Sequence, residues 1–302
     1  MSEKVYDMLI VGGGPGGYTA ALYAARAGLR VAVLEKMSAG GQMAETPQID
    51  NYPGIPQGID GFSLGQQMQS QAEQFGAETF LTEVTELRLH ASIKVAETTQ
   101  GTFQGKTIVL ATGAEPRHLG VPGEEERIGR GVHYCAACDG MFYRGKTVAV
   151  VGGGNTAAAD ALLLSRVAKK VILIHRRDTL RASRVYHKTL QEAENVEFYW
   201  NSAVTQITSG QLTVENLTTG KKTDLFCDGV FVAIGRRPAT SLVEPSLLDE
   251  QGYIRADEST ATQIPGVFAV GDVRTKAVRQ IVTAVADGAA AAYAAEEHLA
   301  EQ

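Results

Sequence analysis

The stretch "VYDMLIVGGGPGGYTAALYAARAGLRVAVLEK", residues 5–36, decides the fold. An apolar run ends in a cluster of glycines, an alanine-rich segment of helical period follows, and a second apolar run closes on Glu35. That succession predicts a strand, a tight turn, a helix and a parallel strand. In Gly12-x-Gly14-x-x-Gly17 the first glycine permits the tight turn. The second lets backbone approach a pyrophosphate, and the third brings helix against strand. Pro15, inside this loop, is counted with its glycines among the expected cofactor-binding residues. The helix N-terminus would then face phosphates with free N–H groups and the positive end of its dipole. Glu35, at the strand end, can accept from both hydroxyls of a ribose, which fits an unphosphorylated adenosine such as that of FAD.

The same pattern occurs again. "TVAVVGGGNTAAADALLLSRVAKKVILIHRR", residues 147–177, repeats strand, glycine turn, helix and strand, with Gly152-x-Gly154-x-x-Ala157 as the permitted alanine variant. Asn155 and Thr156 open its helix. Its second strand ends not in an acid but in "HRRDTLR": His175, Arg176 and Arg177, with Arg181 one turn on. Three guanidinium groups at the position of the ribose-binding acid suit a 2′-phosphate, hence NADPH.

A further echo follows each unit: "VLATGAEP" (109–116) and "FVAIGRRP" (231–238) are apolar strands closed by Gly113 and Gly235, with a proline three residues later. The first fold finds no finishing strand until "GVFAVGD" (266–272), after the second fold is complete. The reading is therefore an α/β protein of two nested Rossmann-like dinucleotide-binding domains, the NADPH domain inserted into the FAD domain. We assign 1–114 to the first part of the FAD domain, 115–242 to the NADPH domain, and 243–302 to the second part of the FAD domain. "EEE" at 124–126 reads as a solvated loop, and "AVADGAAAAYAAEEHL" as a helix packed through small residues.

Composition agrees with such a protein: 302 residues, 44% hydrophobic, 33 glycines and a formal charge of −6. Net acidity argues against nucleic acid as a partner, because phosphate binding wants clustered Lys and Arg. The N-terminal "MSEKVYDMLIVGGG" has too short an apolar run for a membrane span and lacks the pattern of a signal peptide, so the protein is expected to be cytoplasmic and off the membrane.

Two of the three cysteines lie in "YCAACDG", residues 134–140. Zinc needs four ligands, whereas Cys227 is remote and the six histidines are scattered, so that His133 could add only a third; no metal is expected. A structural disulfide is unusual in a cytoplasmic chain. A pair that opens and closes is the better reading, an electron exit for hydride delivered from NADPH to a flavin. Asp139 is either a turn former with Gly140 or the acid–base for thiol–thiolate exchange. Cys227 reads as a small buried hydrophobe.

With "CAACDG" inside the second fold, "HRRDTLR" after it, "GGQ" at 40–42 and "GDV" at 271–273, the chain resembles the low-molecular-weight thioredoxin reductases over essentially its whole length. The resemblance implies that Gln42, Asn51 and Asp272 join Gly12, Gly14, Gly17 and Glu35 along the FAD. It places Arg279 and Gln280 at the flavin end of the last helix, Arg176, Arg177 and Arg181 on the NADPH 2′-phosphate, and a redox disulfide at Cys135 and Cys138. Cys138 is the expected sulfur nearer the flavin; the spacing does not decide which cysteine attacks the partner. It further implies a homodimer that reduces thioredoxin, with the inserted domain rotating about its two connections to present nicotinamide and disulfide in turn. Two stretches depart from the family pattern: "TAAADALLL" keeps only Asp160 where valine and several acids are usual, and "GRRP" at 235–238 is unusually basic. Alternatives are a small-molecule dithiol oxidase, which would dispense with the arginines, a ferredoxin–NADP reductase, which would lack the cysteine pair, and a non-catalytic flavoprotein sensing NADPH.

Overall fold

Val5–Val11 and Val31–Glu35 are buried almost throughout, as β-branched and apolar runs must be when a parallel sheet is covered on both faces. Residues alternate between the faces: Met8 and Ile10 enter one core, Leu9 and Val11 the other. The structure, a computed structural model, describes residues 4–46 and 48–301, so the first three residues of the N-terminal stretch lie outside it. Packing divides the chain into two compact units, Met1–Glu115 with Arg237–Gln302, and Pro116–Arg236.

In the first unit the sheet runs Glu78–Leu81, Val31–Glu35, Val5–Val11, Gly101–Leu110, Lys94–Thr98 and Val84–Arg88, the first four parallel and the last two antiparallel. Val267–Ala269 lies parallel to residues 108–110, so a strand more than 150 residues downstream completes the first sheet, as nesting requires. The helices Pro15–Arg26 and Ile281–Ala300 press together through Gly16, Thr19, Ala20 and Gly288. A Cβ on Gly288 would run into the Gly16 carbonyl oxygen, so only glycine permits this approach.

The second unit repeats the plan. Five parallel strands stand in the order Val196–Tyr199, Lys170–Ile174, Thr147–Val151, Gly229–Val232 and Val132–His133. Val148 and Val150 feed one core, Ala149 and Val151 the other. An antiparallel meander, Ser202–Thr208, Gln211–Asn216 and Lys222–Phe226, covers the second face. The edge strand Val132–His133 ends beside Tyr134 and the cysteine pair, putting them at the carboxyl end of the sheet, where open α/β folds place their chemistry.

Short strands, Ala114–Pro116 and Arg236–Pro238, carry the chain across between the units. The Arg117 N–H donates to the Gly235 carbonyl and the Ala239 N–H to the Gly113 carbonyl, both at 3.0 Å. Gly113 and Gly235 adopt φ of 74° and 107°, conformations that suit glycine.

The solvated loop expected at 124–126 is corrected at its first residue. Glu124 is 1% exposed. Its carboxylate accepts the Leu119 and Gly120 N–H groups at 2.8 and 2.7 Å and the Tyr134 hydroxyl at 2.9 Å. Two backbone donors and a phenol replace the water that a buried carboxylate loses, which is why an acid tolerates this position.

Candidate functional site

The first glycine loop is set by steric demand. Gly12 has φ of 107°, and a Cβ there would lie 2.5 Å from the Ala111 carbonyl oxygen. A Cβ on Gly17 would run into the Gly12 carbonyl oxygen. Above Gly14, by contrast, a Cβ would meet nothing within 4 Å. The loop is closed where it packs and open where a pyrophosphate would approach, and Gly14 leaves the first N–H groups of Pro15–Arg26 without a side-chain cap.

Other elements converge on this helix start. The Gly40 N–H donates to the Gly13 carbonyl at 2.8 Å, which seats the turn Gly41–Glu45 and with it Gln42 beside the loop. Gly16 abuts Val270 and Ala284, bringing up the turn Gly271–Val273 with Asp272 and the start of the last helix. Asn51 donates from Nδ2 to the Gln280 side-chain oxygen at 3.1 Å. Arg279 lies over the Tyr253 ring at 4.0 Å and donates to the Asp272 and Arg274 carbonyls. Glu35, largely buried, accepts the Gly13 N–H at 2.6 Å and the Met37 N–H at 2.9 Å. These backbone bonds aim its carboxylate at the loop. Of the residues expected along the FAD, the glycine loop, Glu35 and the turns carrying Gln42 and Asp272 meet near the start of Pro15–Arg26, while Asn51 and Arg279 gather with Gln280 at the start of the last helix, and the residue types and the open cradle fit that group.

Sequence reasoning missed what fastens this region. Asp287, on the last helix, accepts the Gly271 N–H at 2.8 Å, Arg274 Nε and Nη2 at 3.0 and 2.7 Å, and Lys276 Nζ at 2.7 Å. All three side chains are buried, so the turn carrying Asp272 is held by a buried ion cluster. Burial works against the Asp287 charge, but the hydrogen bonds from Arg274, Lys276 and Gly271 outweigh it and hold the carboxyl below its ordinary range.

The second glycine loop has the same form. A Cβ on Gly152 would run into the Ala233 carbonyl, while above Gly154 there is open space within 4 Å. The Arg181 and Ala182 N–H groups both donate to the Gly153 carbonyl, at 2.7 and 3.1 Å, folding the "HRRDTLR" segment back onto the loop. The Asn155 side-chain oxygen accepts the Ser183 N–H at 2.8 Å; Thr156 beside it is exposed. His175 is buried under Gly153, and its Nε2 has no hydrogen-bond partner among the described residues. Burial, then the charges of Arg181, Arg177 and Arg176, lower its pKa, so the ring stays neutral among three cations. Arg176, Arg177 and Arg181 are all exposed around it, a clustered positive face that fits a phosphate. The basic "GRRP" gains a partial account here: burial pushes the Asp160 carboxyl up to about 6, and Arg236 opposes the shift from nearby.

Cys135 and Cys138 are joined as a disulfide. Cys135 caps the short helix Ala136–Asp139, its Sγ accepting the Cys138 N–H at 3.2 Å. Cys227 is buried in an apolar cluster, and burial pushes its thiol up to about 12, the inert state expected of it. Among the described residues no group of three or more His, Cys, Asp or Glu could hold a metal ion. Asp139 ends the short helix Ala136–Asp139 and bonds to a side chain outside it. Its Oδ2 lies 2.9 Å from His133 Nδ1, and His133 Nε2 lies 2.7 Å from the Tyr143 hydroxyl. The one available signal was the run of polar residues His133, Asp139 and Tyr143 around the pair, which spacing alone does not connect.

Two dinucleotide cradles and a redox disulfide define a class of enzyme that moves electrons between a pyridine nucleotide and a dithiol. The chain belongs to the pyridine nucleotide-disulphide oxidoreductase family, whose sequence profile matches residues 6–288. It is 42% identical over 309 residues to the thioredoxin reductase of Peptoclostridium acidaminophilum, covering 98% of each chain. It is 43% identical over 306 residues to the bifunctional thioredoxin reductase/thioredoxin of Mycobacterium leprae, covering 99% of this chain and 67% of that one. The crystal structure of thioredoxin reductase from Streptococcus pyogenes superposes with a TM-score of 0.92 at 42% identity over the whole of both chains.

Proposed function

We infer that this chain is an NADPH-dependent thioredoxin-disulfide reductase that carries FAD and passes electrons through Cys135 and Cys138. The observation that carries the reading is the Cys135–Cys138 disulfide in the same unit as the arginine-backed glycine loop. The relative from Mycobacterium leprae, by name a reductase and a thioredoxin in one chain, supports thioredoxin as the partner. When bound, FAD supplies the two-electron relay between nicotinamide and disulfide.

The chain's own residues do the rest. Gly12, Gly14, Pro15 and Gly17 cradle the FAD pyrophosphate at a helix N-terminus, and Glu35 takes the ribose. Gln42, Asn51, Gly113, Asp272, Arg279 and Gln280 line the remainder of that site. Gly152, Gly154, Asn155, Thr156 and neutral His175 shape the NADPH site, while Arg176, Arg177 and Arg181 clamp its 2′-phosphate. Asp139 moves the proton that each thiol–disulfide exchange requires. Because nicotinamide site and disulfide belong to one inserted domain, 115–242 in the sequence reading, that domain turns about its two crossings to present them in alternation. The enzyme acts as a cytoplasmic homodimer without nucleic acid or membrane. The net charge of −6 supports the exclusion of nucleic acid, and no helix among the described residues is long and apolar enough to cross a membrane.

The test is steady-state NADPH oxidation by the FAD-loaded protein with and without oxidised thioredoxin. Turnover that requires thioredoxin is expected. NADPH oxidation indifferent to it, or a reaction driven by a small dithiol without NADPH, overturns the reading in favour of a sensor or an oxidase.

A second measurement isolates the clamp. Arg176→Ala and Arg177→Ala are each expected to raise KM for NADPH about ten- to a hundred-fold, since a charge-assisted phosphate contact contributes about 1.5–3 kcal/mol. KM for NADH should hardly change, because only the 2′-phosphate separates the two nucleotides. Equal losses with both would show that these arginines serve another purpose.

A further inference from the structure

His133 is the last residue of the edge strand Val132–His133 and is 6% exposed. Its ring stacks on Phe231 with centroids 5.2 Å apart and meets Tyr143 edge-on at 5.2 Å. Tyr143 in turn presses so close to Gly229 that a Cβ there would run into the phenol ring. The imidazole is therefore fixed by packing on two sides and by a hydrogen bond at each nitrogen. One of those bonds is with Asp139, immediately after the redox pair.

We propose that His133 is a positioning residue for Asp139, and that Tyr143 holds the His133 ring from its other nitrogen. This rests on the reading of the chain as a disulfide reductase.

The proton assignment follows from the geometry. Burial raises the pKa of the Tyr143 phenol, and the charges of Asp139, Asp228 and Cys227 add to the effect, so the phenol keeps its proton. Lys146 lies over the same ring at 5.4 Å. A protonated phenol donates to Nε2, and a neutral imidazole with Nε2 as acceptor carries its hydrogen on Nδ1. Nδ1 then donates to the Asp139 carboxylate. If the carboxyl takes the Nδ1 proton, Nε2 takes that of the Tyr143 hydroxyl, which solvent replaces, so that Nδ1 accepts from Asp139 and Nε2 donates to Tyr143. Both bonds survive in either state, so Asp139 stays in place throughout the proton cycle.

The step served is the exchange itself. In the reduced enzyme one cysteine thiolate forms a bond to a sulfur of oxidised thioredoxin, the partner's S–S bond breaks, and its electron pair stays on the departing partner sulfur as thiolate. That thiolate takes the proton from the Asp139 carboxyl, leaving thiol and carboxylate, and solvent reprotonates the acid.

Two amide side chains separate positioning from mere filling. Asn places an amide nitrogen near the reach of Nδ1, and Gln near that of Nε2. His133→Asn should restore the bond to Asp139 and keep most activity. His133→Gln and His133→Phe leave Asp139 unheld and should lower kcat with oxidised thioredoxin about tenfold, with KM unchanged. Tyr143→Phe keeps the packing and loses only the hydroxyl, so it remains informative if the His133 variants fold poorly; an intermediate loss in kcat is expected. A second readout needs no NADPH: the FAD-loaded protein is reduced with dithiothreitol, and freed thiols are trapped with N-ethylmaleimide. The same ranking is expected, with Asn faster than Gln and Phe. Should the wild-type protein fail to reduce thioredoxin, the functional reading falls, while this trapping assay still decides the role of His133. Equal rates for all variants, with only the melting temperature altered, or an Asn variant as slow as Gln, overturn the proposal.

Discussion

Thioredoxin reduction by the Cys138→Ser protein should fall to background, while NADPH is expected to bleach its flavin at the wild-type rate. The first half of this expectation rests on the covalent route: without the second sulfur there is no disulfide to reduce, and a serine hydroxyl forms no S–O analogue that can exchange. The second half rests on the separation of sites. The proposed NADPH site is built around Gly152, Gly154 and the arginine segment, and among the described residues none of these is hydrogen-bonded to Cys138. Folding should be little disturbed, because Cys138 contributes its backbone N–H to the helix cap and serine keeps it. Anaerobic titration with NADPH reads one half, and turnover with oxidised thioredoxin the other. A Cys138→Ser protein that still reduced thioredoxin would take the cysteine pair off the electron path.

Asp287→Ala should be the most destabilising single change outside the hydrophobic cores, by about 3–5 kcal/mol, because removing one partner of a buried ion cluster leaves charge without compensation. Here it would leave two buried cations, Lys276 and Arg274, the latter with only the fully exposed Glu258 at 4.0 Å as a carboxylate partner. The Gly271 N–H would also lose its acceptor. The pH dependence has a definite sign. A carboxyl held below its ordinary range by folding contributes stability that is complete above the unfolded value, about 4, and is lost as pH falls through the folded value. Melting curves of wild type and Asp287→Ala should therefore differ most at neutral pH and converge as the solution is acidified below about 4. FAD content should fall along with stability, since this cluster fastens the turn that holds Asp272. A gap that stayed constant down to strongly acidic pH would show that the carboxylate is not the stabilising group.

Much of the chemistry was legible in short stretches. A βαβ unit spans some thirty residues, and its function is written in local spacing: a glycine where backbone must turn, another where a phosphate must approach, and a strand-end acid or arginine that reads the ribose. Both cradles and the cysteine pair follow from such stretches, and so does the nesting, because the first fold finds its finishing strand, Val267–Ala269 beside residues 108–110, only after the second fold is complete. Where the reading failed, it did so on polar side chains. Glu124 looked like one of three solvated acids, yet it is buried because Tyr134 and two backbone amides stand in for water.

The sequence by itself determined the two dinucleotide folds, their order, the identity of each nucleotide and the redox pair, because those features depend on residues near one another along the chain. The tertiary structure decided which charges and hydrogen bonds meet. His133 reaches Asp139 and Tyr143 only because an edge strand, a short helix and a turn come together at one end of a sheet. Asp287 meets Arg274 and Lys276 only because the last helix folds back over the turn before it. Such bonds depend on distance and direction to within a few tenths of an ångström, and the amino-acid order carries that information only once the backbone has been placed.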